Sequence, residues 1–242
     1  MAVERVNEGT WLPPWVRYQH EARYAWAAQR ARDCIVLDAA CGTGYGAKRL
    51  IEHGASSVSG FDLSAEAIEI ARRNNVAHHV TFEIGDVAQL PVADASIDLY
   101  LSFETIEHLA DDRAYLVEAR RVLKADGRLI CSTPNRKLTN PGTTIDDKPF
   151  NPFHLREYTR DELHERLRPH FSQIDFLGQS SYSSIYTTFL HRIARLHPRL
   201  AVRLHQARKT LCVPWETPKR HWPLSFKDIC GEPEILIAVC YG

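Results

Sequence analysis

Two glutamates and two histidines in this sequence have the residue types and spacing to bind a metal ion or to move a proton. The segment FETIEHL places Glu104, Glu107 and His108 at i, i+3 and i+4, so an α-helix beginning there would present all three on one face. His154 follows in the segment NPFHLREYT. Carboxylates and imidazoles together bind divalent cations, and an imidazole alone accepts a proton from a hydroxyl group. The sequence therefore predicts His108 and His154 as catalytic residues, and Glu104, Glu107, His108 and His154 as ligands of a divalent cation such as Mg²⁺ or Mn²⁺.

A second pattern joins an apolar run to a glycine-rich loop in VLDAACGTGYGAKRL. The spacing Gly42-x-Gly44-x-x-Ala47 satisfies the loose dinucleotide fingerprint and raises a nicotinamide or flavin enzyme as an alternative. Asp38, four residues before the first glycine, argues against that alternative, because a carboxylate repels a pyrophosphate in a poorly hydrated cleft. The pattern favours a cationic ligand.

Three apolar runs that read as strands are followed by an acid or end in one. Asp38 precedes the glycine loop, Asp62 ends VSGFD, and Asp86 follows FEIG. The carboxyl ends of parallel strands meet at one edge of a sheet, where ligands bind. S-adenosylmethionine needs an anion near its positive charges and acceptors for its ribose diol and adenine amino group, and the three acids supply these in order. For Asp62 a second interpretation stays open, in which it only precedes the helix that Ser64 caps.

The elements that would position these residues alternate along the chain. Alternating strands and helices predict an α/β fold with a parallel sheet and helices on both faces. The predicted helices include Ala65–Asn74 and Arg113–Leu123, and a further helix begins at Thr159. The predicted strands are Ile35–Asp38, Ser57–Asp62, Val80–Ile84, Ile97–Ser102 and Leu129–Thr133, with two more at 171–178 and 234–242.

These motifs, in this order, resemble those of class I S-adenosylmethionine-dependent methyltransferases. The resemblance implies a Rossmann-like, seven-stranded, mostly parallel sheet whose last strand inserts antiparallel between two others. It also implies an N-terminal helix over the cofactor, with Tyr18 and Arg23 among its contacts, although simple packing of that helix remains the alternative. The remaining cofactor-binding residues that it implies are Asp38, Ala39, Gly42, Gly44, Asp62, Leu63, Asp86, Val87 and Ser102.

The E-x-x-E-H segment with a later histidine is similar to that of metal-dependent small-RNA 2′-O-methyltransferases and, in part, of ubiquinone-pathway O-methyltransferases. STPNR followed by NPFHLREYT resembles bacterial sugar and polysaccharide O-methyltransferases. The resemblance implies methyl transfer to a hydroxyl of a sugar-like or other small-molecule acceptor, assisted by a histidine base or a metal. Methylation of a nitrogen or of an RNA 3′-terminal 2′-hydroxyl, and a non-catalytic S-adenosylmethionine-binding relative, remain the alternatives.

The chain divides into four expected parts within one methyltransferase domain, 1–242. These are a lid helix at 1–33, a cofactor-binding core at 34–178, an acceptor-covering insertion at 179–232 and a last strand at 233–242. Many arginines in the insertion allow a basic surface for a phosphate-bearing acceptor, and Trp215 and Trp222 could stack on a sugar ring or fill the core. We favour a solvated helix face, with the apolar residues Ile193, Leu196, Leu200 and Leu204 packed inward.

The composition of the chain limits the classes of partner that we expect it to bind. Lys+Arg and Asp+Glu number 30 each, so the chain has no overall positive charge to attract long nucleic acids. Its apolar runs are far shorter than the roughly 20 residues that cross a bilayer. The 6 cysteines include no C-x-x-C pair, which favours reduced thiols and a cytoplasmic protein. We expect a small-molecule or saccharide acceptor as partner, with a homodimer left open.

Overall fold

A computed structural model describes residues 14–75, 78–182, 184–212, 223–225 and 231–242. A 3₁₀ turn lies at Ile106–His108. The strands are β1 Ile35–Ala39, β2 Ser57–Asp62, β3 Val80–Ile84, β4 Ile97–Phe103, β5 Leu123–Pro134, β6 Gln173–Tyr182, β7 Leu224–Ser225 and β8 Glu232–Tyr241. The α-helices are α1 Pro14–Ala28, α2 Tyr45–Glu52, α3 Ala65–Asn74, α4 Asp112–Val122, α5 Arg136–Thr139, α6 Arg160–Leu167, α7 Ser184–Leu196 and α8 Pro198–Cys212.

All the described strands join one sheet in the order β3-β2-β1-β4-β5-β8-β6-β7. The first five strands pair in parallel, as alternation with helices requires. The Rossmann-like α/β class is therefore confirmed. The sheet holds eight strands instead of the predicted seven, because the two-residue strand β7 pairs with β6 at the edge.

Strand β8 runs antiparallel between β5 and β6, as the resemblance implies. Thr133 of β5 faces Leu236, and Gln179 of β6 faces Ile235. This direction brings the first residues of β8 to the edge where the parallel strands end. Glu234 consequently lies on the ligand side of the sheet.

The central strands are buried on both faces, so their side chains alternate between two apolar clusters. Leu37 and Leu129 pack with α4 and α6 on one face. Val36 and Ile130 pack with α1, α2 and α3 on the other. The helices thus cover both faces and hold the strand ends in fixed positions.

Two predicted helix starts are confirmed by their caps. The Ser64 hydroxyl accepts a hydrogen bond from the amide of Ala67 at the start of α3. Thr159 and Glu162 form a reciprocal capping box at the start of α6. These caps fix where the chain leaves the loops that follow β2 and β5.

Helix α1 packs as part of the core. Tyr24, Trp26 and Ala27 are buried and belong to the apolar cluster beneath α2. A Cβ atom added to Gly46 would lie 2.0 Å from the Tyr24 ring, so only glycine allows this approach of α1 to α2. The packing interpretation of this helix is therefore supported, and its lid role stays a prediction.

The expected inward packing of three leucines in the insertion is wrong. Leu196, Leu200 and Leu204 are exposed, because α7 and α8 turn other residues toward the protein. The inward residues of these two helices are Leu190, Ala194 and Ala201, which form a third apolar cluster with Leu138 of α5 and Tyr182 of β6. Trp215 and Trp222 lie outside the described residues.

Among the described residues, no helix is both long enough and apolar enough to span a bilayer.

Candidate functional site

The glycine loop after β1 folds through left-handed backbone conformations. Gly42 and Gly44 have φ of 55° and 72°, values that favour glycine. A Cβ atom on Gly44 would also lie 2.6 Å from the Phe82 ring. The loop therefore needs glycine at Gly44 for two independent reasons, and it brings the start of α2 close to the end of β1.

Asp38 is fully buried at the end of β1. The Tyr24 hydroxyl lies 2.9 and 3.0 Å from its two carboxylate oxygens. Burial raises the pKa of Asp38 to about 7; the Tyr24 hydrogen bond opposes this shift and the charge of Asp62 adds to it. A buried carboxylate of this kind favours a cationic ligand.

Asp62 connects two backbone segments at the end of β2. One carboxylate oxygen accepts the amide of Gly42 at 3.0 Å, and the other accepts the amide of Ser64 at 2.8 Å. The structural role that the sequence left open is thus present. A carboxylate oxygen can accept more than one hydrogen bond, so a ribose role remains compatible with this geometry.

The other predicted cofactor residues lie along the same edge. Ala39 and Ser102 are buried neighbours in register on β1 and β4. Val87 is buried, whereas the side chains of Asp86 and Leu63 face solvent. The Asp86 carboxylate accepts the amide of Ala88 at 2.9 Å, which shapes the loop after β3.

Glu104 corrects one sequence expectation. It has φ of 53°, an uncommon conformation for a residue with a side chain, and no α-helix begins there. Its carboxylate accepts the Ser132 hydroxyl at 2.7 Å and lies 3.7 Å from the guanidinium of Arg23. The Glu104 carboxylate is therefore not part of the cluster that the other three predicted metal ligands form.

Glu107, His108 and His154 do converge. One ligand atom from each side chain lies within 4.8 Å of the others. The backbone explains this convergence, because the amides of Leu155 and Arg156 donate to the carbonyl of Glu107 at 2.8 and 3.3 Å. The loop that carries His154 is thereby fastened to the 3₁₀ turn.

Hydrogen bonds at the Nδ1 atoms orient both imidazole rings. Nδ1 of His108 lies 3.0 Å from the carbonyl oxygen of Phe153. Nδ1 of His154 lies 2.6 Å from Glu157, and its Nε2 lies 3.0 Å from the amide nitrogen of Asn151. A histidine that binds a metal usually donates its other ring N–H to a carbonyl or carboxylate in this way. By this pattern Nε2 of each ring is the candidate metal-binding nitrogen, and at His154 a cation would have to displace the Asn151 side-chain amide.

Glu107 is fully buried beside these histidines. Its Oε2 accepts the Thr133 hydroxyl at 2.9 Å, while its Oε1 has no hydrogen-bond partner among the described residues. Burial, together with the charge of Glu104, raises the pKa of Glu107 well above its usual value, against the opposing effect of His154. A divalent cation would stabilise the ionised form of this carboxylate. The donor set fits a cation bound by two imidazoles and one carboxylate.

Arg23 approaches the site from α1. Its side chain is buried, Nη1 donates to Gln179 at 2.7 Å, and the guanidinium lies 5.9 Å from the centre of the Phe103 ring. Nε and Nη2 have no hydrogen-bond partner among the described residues. Nη2 lies 3.7 Å from the Glu104 carboxylate, and two buried nitrogen atoms without a hydrogen bond suit an anionic ligand group. Tyr18, also on α1, is partly buried.

Several known proteins that are similar in sequence to this chain are described as methyltransferases. Residues 37–131 match the family model described as a methyltransferase domain. The "Probable S-adenosylmethionine-dependent methyltransferase" of Mycolicibacterium smegmatis is 40% identical over 153 residues, which are 63% of this chain and 57% of the relative. A relative with the same description from Mycobacterium tuberculosis is 40% identical over 151 residues, 62% of this chain and 52% of its own length. These matches support a class I S-adenosylmethionine-dependent methyltransferase.

Solved structures of class I methyltransferases share the fold over nearly the whole chain. An S-adenosylmethionine-dependent methyltransferase from Thermotoga maritima superposes with a TM-score of 0.61 at 19% identity, covering 94% of each chain. The chain spans a little over half the length of the mycobacterial relatives that it matches. S-adenosylmethionine is the cofactor of this family.

The sequence does not predict one residue of this candidate site. Glu157 is buried and contacts the side chains of His154, Thr139 and Asn140. The H-x-x-E spacing of His154 and Glu157 was visible in NPFHLREYT, but a loop gives no periodicity from which to predict that the two side chains meet.

Proposed function

We propose that this chain transfers the methyl group of S-adenosylmethionine to a hydroxyl group of a small, sugar-like acceptor. The observation that carries the proposal is the meeting of Glu107, His108 and His154 beyond the end of β4. In this fold that strand end lies beside the transferred methyl. A hydroxyl is a poor nucleophile until its proton is removed, and this group supplies the means to remove it.

The cofactor would bind along the carboxyl edge of the sheet. Asp38 would face the positive charges of the methionine end, and Asp62 would accept the ribose hydroxyls. Arg23, whose Nε and Nη2 atoms form no hydrogen bond with another described residue, would bind the methionine carboxylate. Asp86 and Val87 would flank the adenine with Leu63, while Gly42, Gly44, Ala39 and Ser102 line the path to the sulfonium.

A divalent cation would be held by Oε1 of Glu107 and by Nε2 of His108 and His154, where it would replace the Asn151 side-chain amide at His154. When bound, such an ion lowers the pKa of a hydroxyl that it contacts. The protein's own contribution is orientation, since Thr133 fixes the Glu107 carboxylate while Phe153 and Glu157 fix the two rings. Arg23 and Phe103 border the site on the side of α1 and narrow the approach to the methyl group.

The alternative mechanism uses His154 alone. Its Nδ1–H faces the Glu157 carboxylate, a pairing that fixes the tautomer, and Nε2 becomes the proton acceptor once it releases the Asn151 side-chain amide. Methyl transfer then needs only in-line alignment of the hydroxyl with the sulfonium.

Chelation separates the two mechanisms. Activity is measured as S-adenosylhomocysteine formed with a panel of mono- and disaccharides, before and after exhaustive EDTA treatment. Loss of activity that Mg²⁺ or Mn²⁺ restores, and that is absent in Glu107→Ala, supports the metal. Full activity after EDTA, with His154→Ala inactive, leaves His154 as the base. Glu165→Ala, an exposed carboxylate change on α6, is the control.

A further inference from the structure

Helices α7 and α8 carry an unbalanced charge. Residues 184–212 contain 5 arginines and 1 lysine but no aspartate or glutamate, although the chain as a whole has no net charge. Arg192, Arg195, Arg199 and Arg203 are exposed. None of these four forms an ion pair with another described residue, whereas Arg17 on α1 pairs with the nearby Glu21. The two helices therefore present local positive charge to solvent.

The same helices expose large apolar side chains. Ile185, Phe189 and Leu196 of α7 are 85%, 53% and 78% exposed, and their i, i+4, i+11 spacing places them on one face. Leu200 and Leu204 of α8 are also exposed. Aliphatic side chains so exposed, with arginines beside them, are typical of surfaces that bind a partner.

The apolar residues meet where the two helices join. Leu196 and Leu200 line one cavity of about 640 Å³ with Phe150, and Arg199 borders it. Leu138, which follows β5 on α5, packs against the inner side of the same helices. The surface is thus built onto the carboxyl edge of the sheet, where the cofactor and the acceptor bind.

We propose that α7 and α8 form a docking surface for an anionic phospholipid bilayer. Arginines would contact the lipid phosphates, while Ile185, Phe189 and Leu196 would enter the boundary between headgroups and acyl chains. Charge complementarity selects this occupant. A symmetric contact with a second copy would bring the arginines against each other, and a nucleic acid offers no apolar layer for aliphatic side chains.

Vesicle sedimentation tests the proposal and needs no methyl transfer. We expect the protein to sediment with vesicles of phosphatidylcholine containing about 30% phosphatidylglycerol at least ~10-fold more than with phosphatidylcholine alone, and less in high salt. The paired changes Phe189→Asn with Leu196→Asn, and Arg192→Gln with Arg195→Gln, should each abolish the difference. Val117→Asn, an equally exposed apolar position on α4, is the matched control.

Three outcomes would overturn the proposal. Equal sedimentation with both kinds of vesicle would show that the surface has no preference for anionic lipid. Loss only in the arginine variant, with binding to RNA, indicates a polyanion site. Concentration-dependent dimers in light scattering that Phe189→Asn with Leu196→Asn disperses would assign the face to a second copy. Unchanged calorimetric binding of S-adenosylmethionine confirms in each case that the variant is folded.

Discussion

The imidazole of His154 and the carboxylate of Glu157 are hydrogen-bonded at 2.6 Å within the protein. Both side chains are buried, and Glu157 is held in turn by Thr139 and Asn140. The ring can therefore rotate little. This pairing fixes which nitrogen of His154 faces the candidate metal site.

Replacing Glu157 should weaken metal binding. Glu157→Gln removes the charge behind His154, and we expect Mn²⁺ affinity to fall about 10–100-fold. Calorimetric titration of the metal-free protein with Mn²⁺ measures this effect. S-adenosylmethionine affinity should stay unchanged, and Glu165→Gln provides an exposed control on α6. Equal Mn²⁺ affinity in Glu157→Gln and the unaltered protein would refute the positioning role.

The two glutamates of E-x-x-E-H should behave differently. Glu107→Ala removes a ligand atom, and we expect no measurable Mn²⁺ binding. Glu104→Ala should change Mn²⁺ affinity by less than about 10-fold, because its carboxylate contacts Ser132 and Arg23 instead. The same titration compares them. Equal losses in the two variants would restore Glu104 as a ligand.

Removing the carboxylate of Asp62 should weaken cofactor binding. We expect Asp62→Ala to lose about 1.5–3 kcal/mol of S-adenosylmethionine binding free energy, the loss for a charge-assisted acceptor. Calorimetry measures it. Since Asp62 also accepts two backbone amides, circular dichroism must show that the variant is folded. Unchanged affinity in a folded variant would leave Asp62 with its structural role only.

Asp38 should make cofactor binding depend on pH. Its pKa of about 7 means that a proton must leave before the carboxylate meets a cationic ligand. Affinity for S-adenosylmethionine should therefore fall about fivefold between pH 7 and pH 6, because the ionised fraction of this group falls by that factor. Asp38→Asn should bind more weakly at pH 8 and show a shallower slope. An identical slope in that variant would mean that another group titrates.

The same carboxyl should affect the stability of the free protein. Between its usual pKa of 3.8 and about 7, Asp38 holds more proton in the folded state than in the unfolded state. Its contribution to the free energy of unfolding therefore decreases as pH rises through that range. Thermal unfolding of Asp38→Asn, followed from pH 5 to pH 8, should lack this part of the decrease in Tm.

Gly46→Ala should separate α1 from α2. A methyl group there would lie 2.0 Å from the Tyr24 ring, and we expect a loss of about 1–3 kcal/mol in the free energy of unfolding. Displaced Tyr24 would also lose its contact with Asp38. Urea unfolding measures the change. Lys48→Ala, an exposed position on the same helix, should lie within about 0.5 kcal/mol of the unaltered protein.

The sequence predicts the cofactor side of this fold well, because its signals are local. An apolar run that ends in Asp38 or Asp62 predicts a strand and also marks where that strand ends. Because the strands are parallel, their ends lie at one edge of the sheet and bring the acids together there. The Ser64 and Thr159 caps are local for the same reason.

The acceptor side is predicted less well because its contacts are distant in sequence. The candidate metal site is predicted from an α-helix that begins at Glu104. Its side chains instead meet because Glu104 is left-handed, a 3₁₀ turn follows it, and hydrogen bonds attach the later loop to the carbonyl of Glu107. Helical spacing also fits either face of α7 and α8. Only the tertiary packing of Leu190 and Ala194 decides that Leu196 faces outward.

The position of β8 between β5 and β6 has a consequence for the order of assembly. β8 is the last of the eight described strands along the chain, and it connects β6 to the five parallel strands β1 to β5. During synthesis on the ribosome, β1 to β5 can pair before β8 has emerged, but Gln179 cannot reach its place beside Arg23. The hydrogen bond between Arg23 and Gln179 should consequently form late, after the nascent chain has already formed the glycine loop.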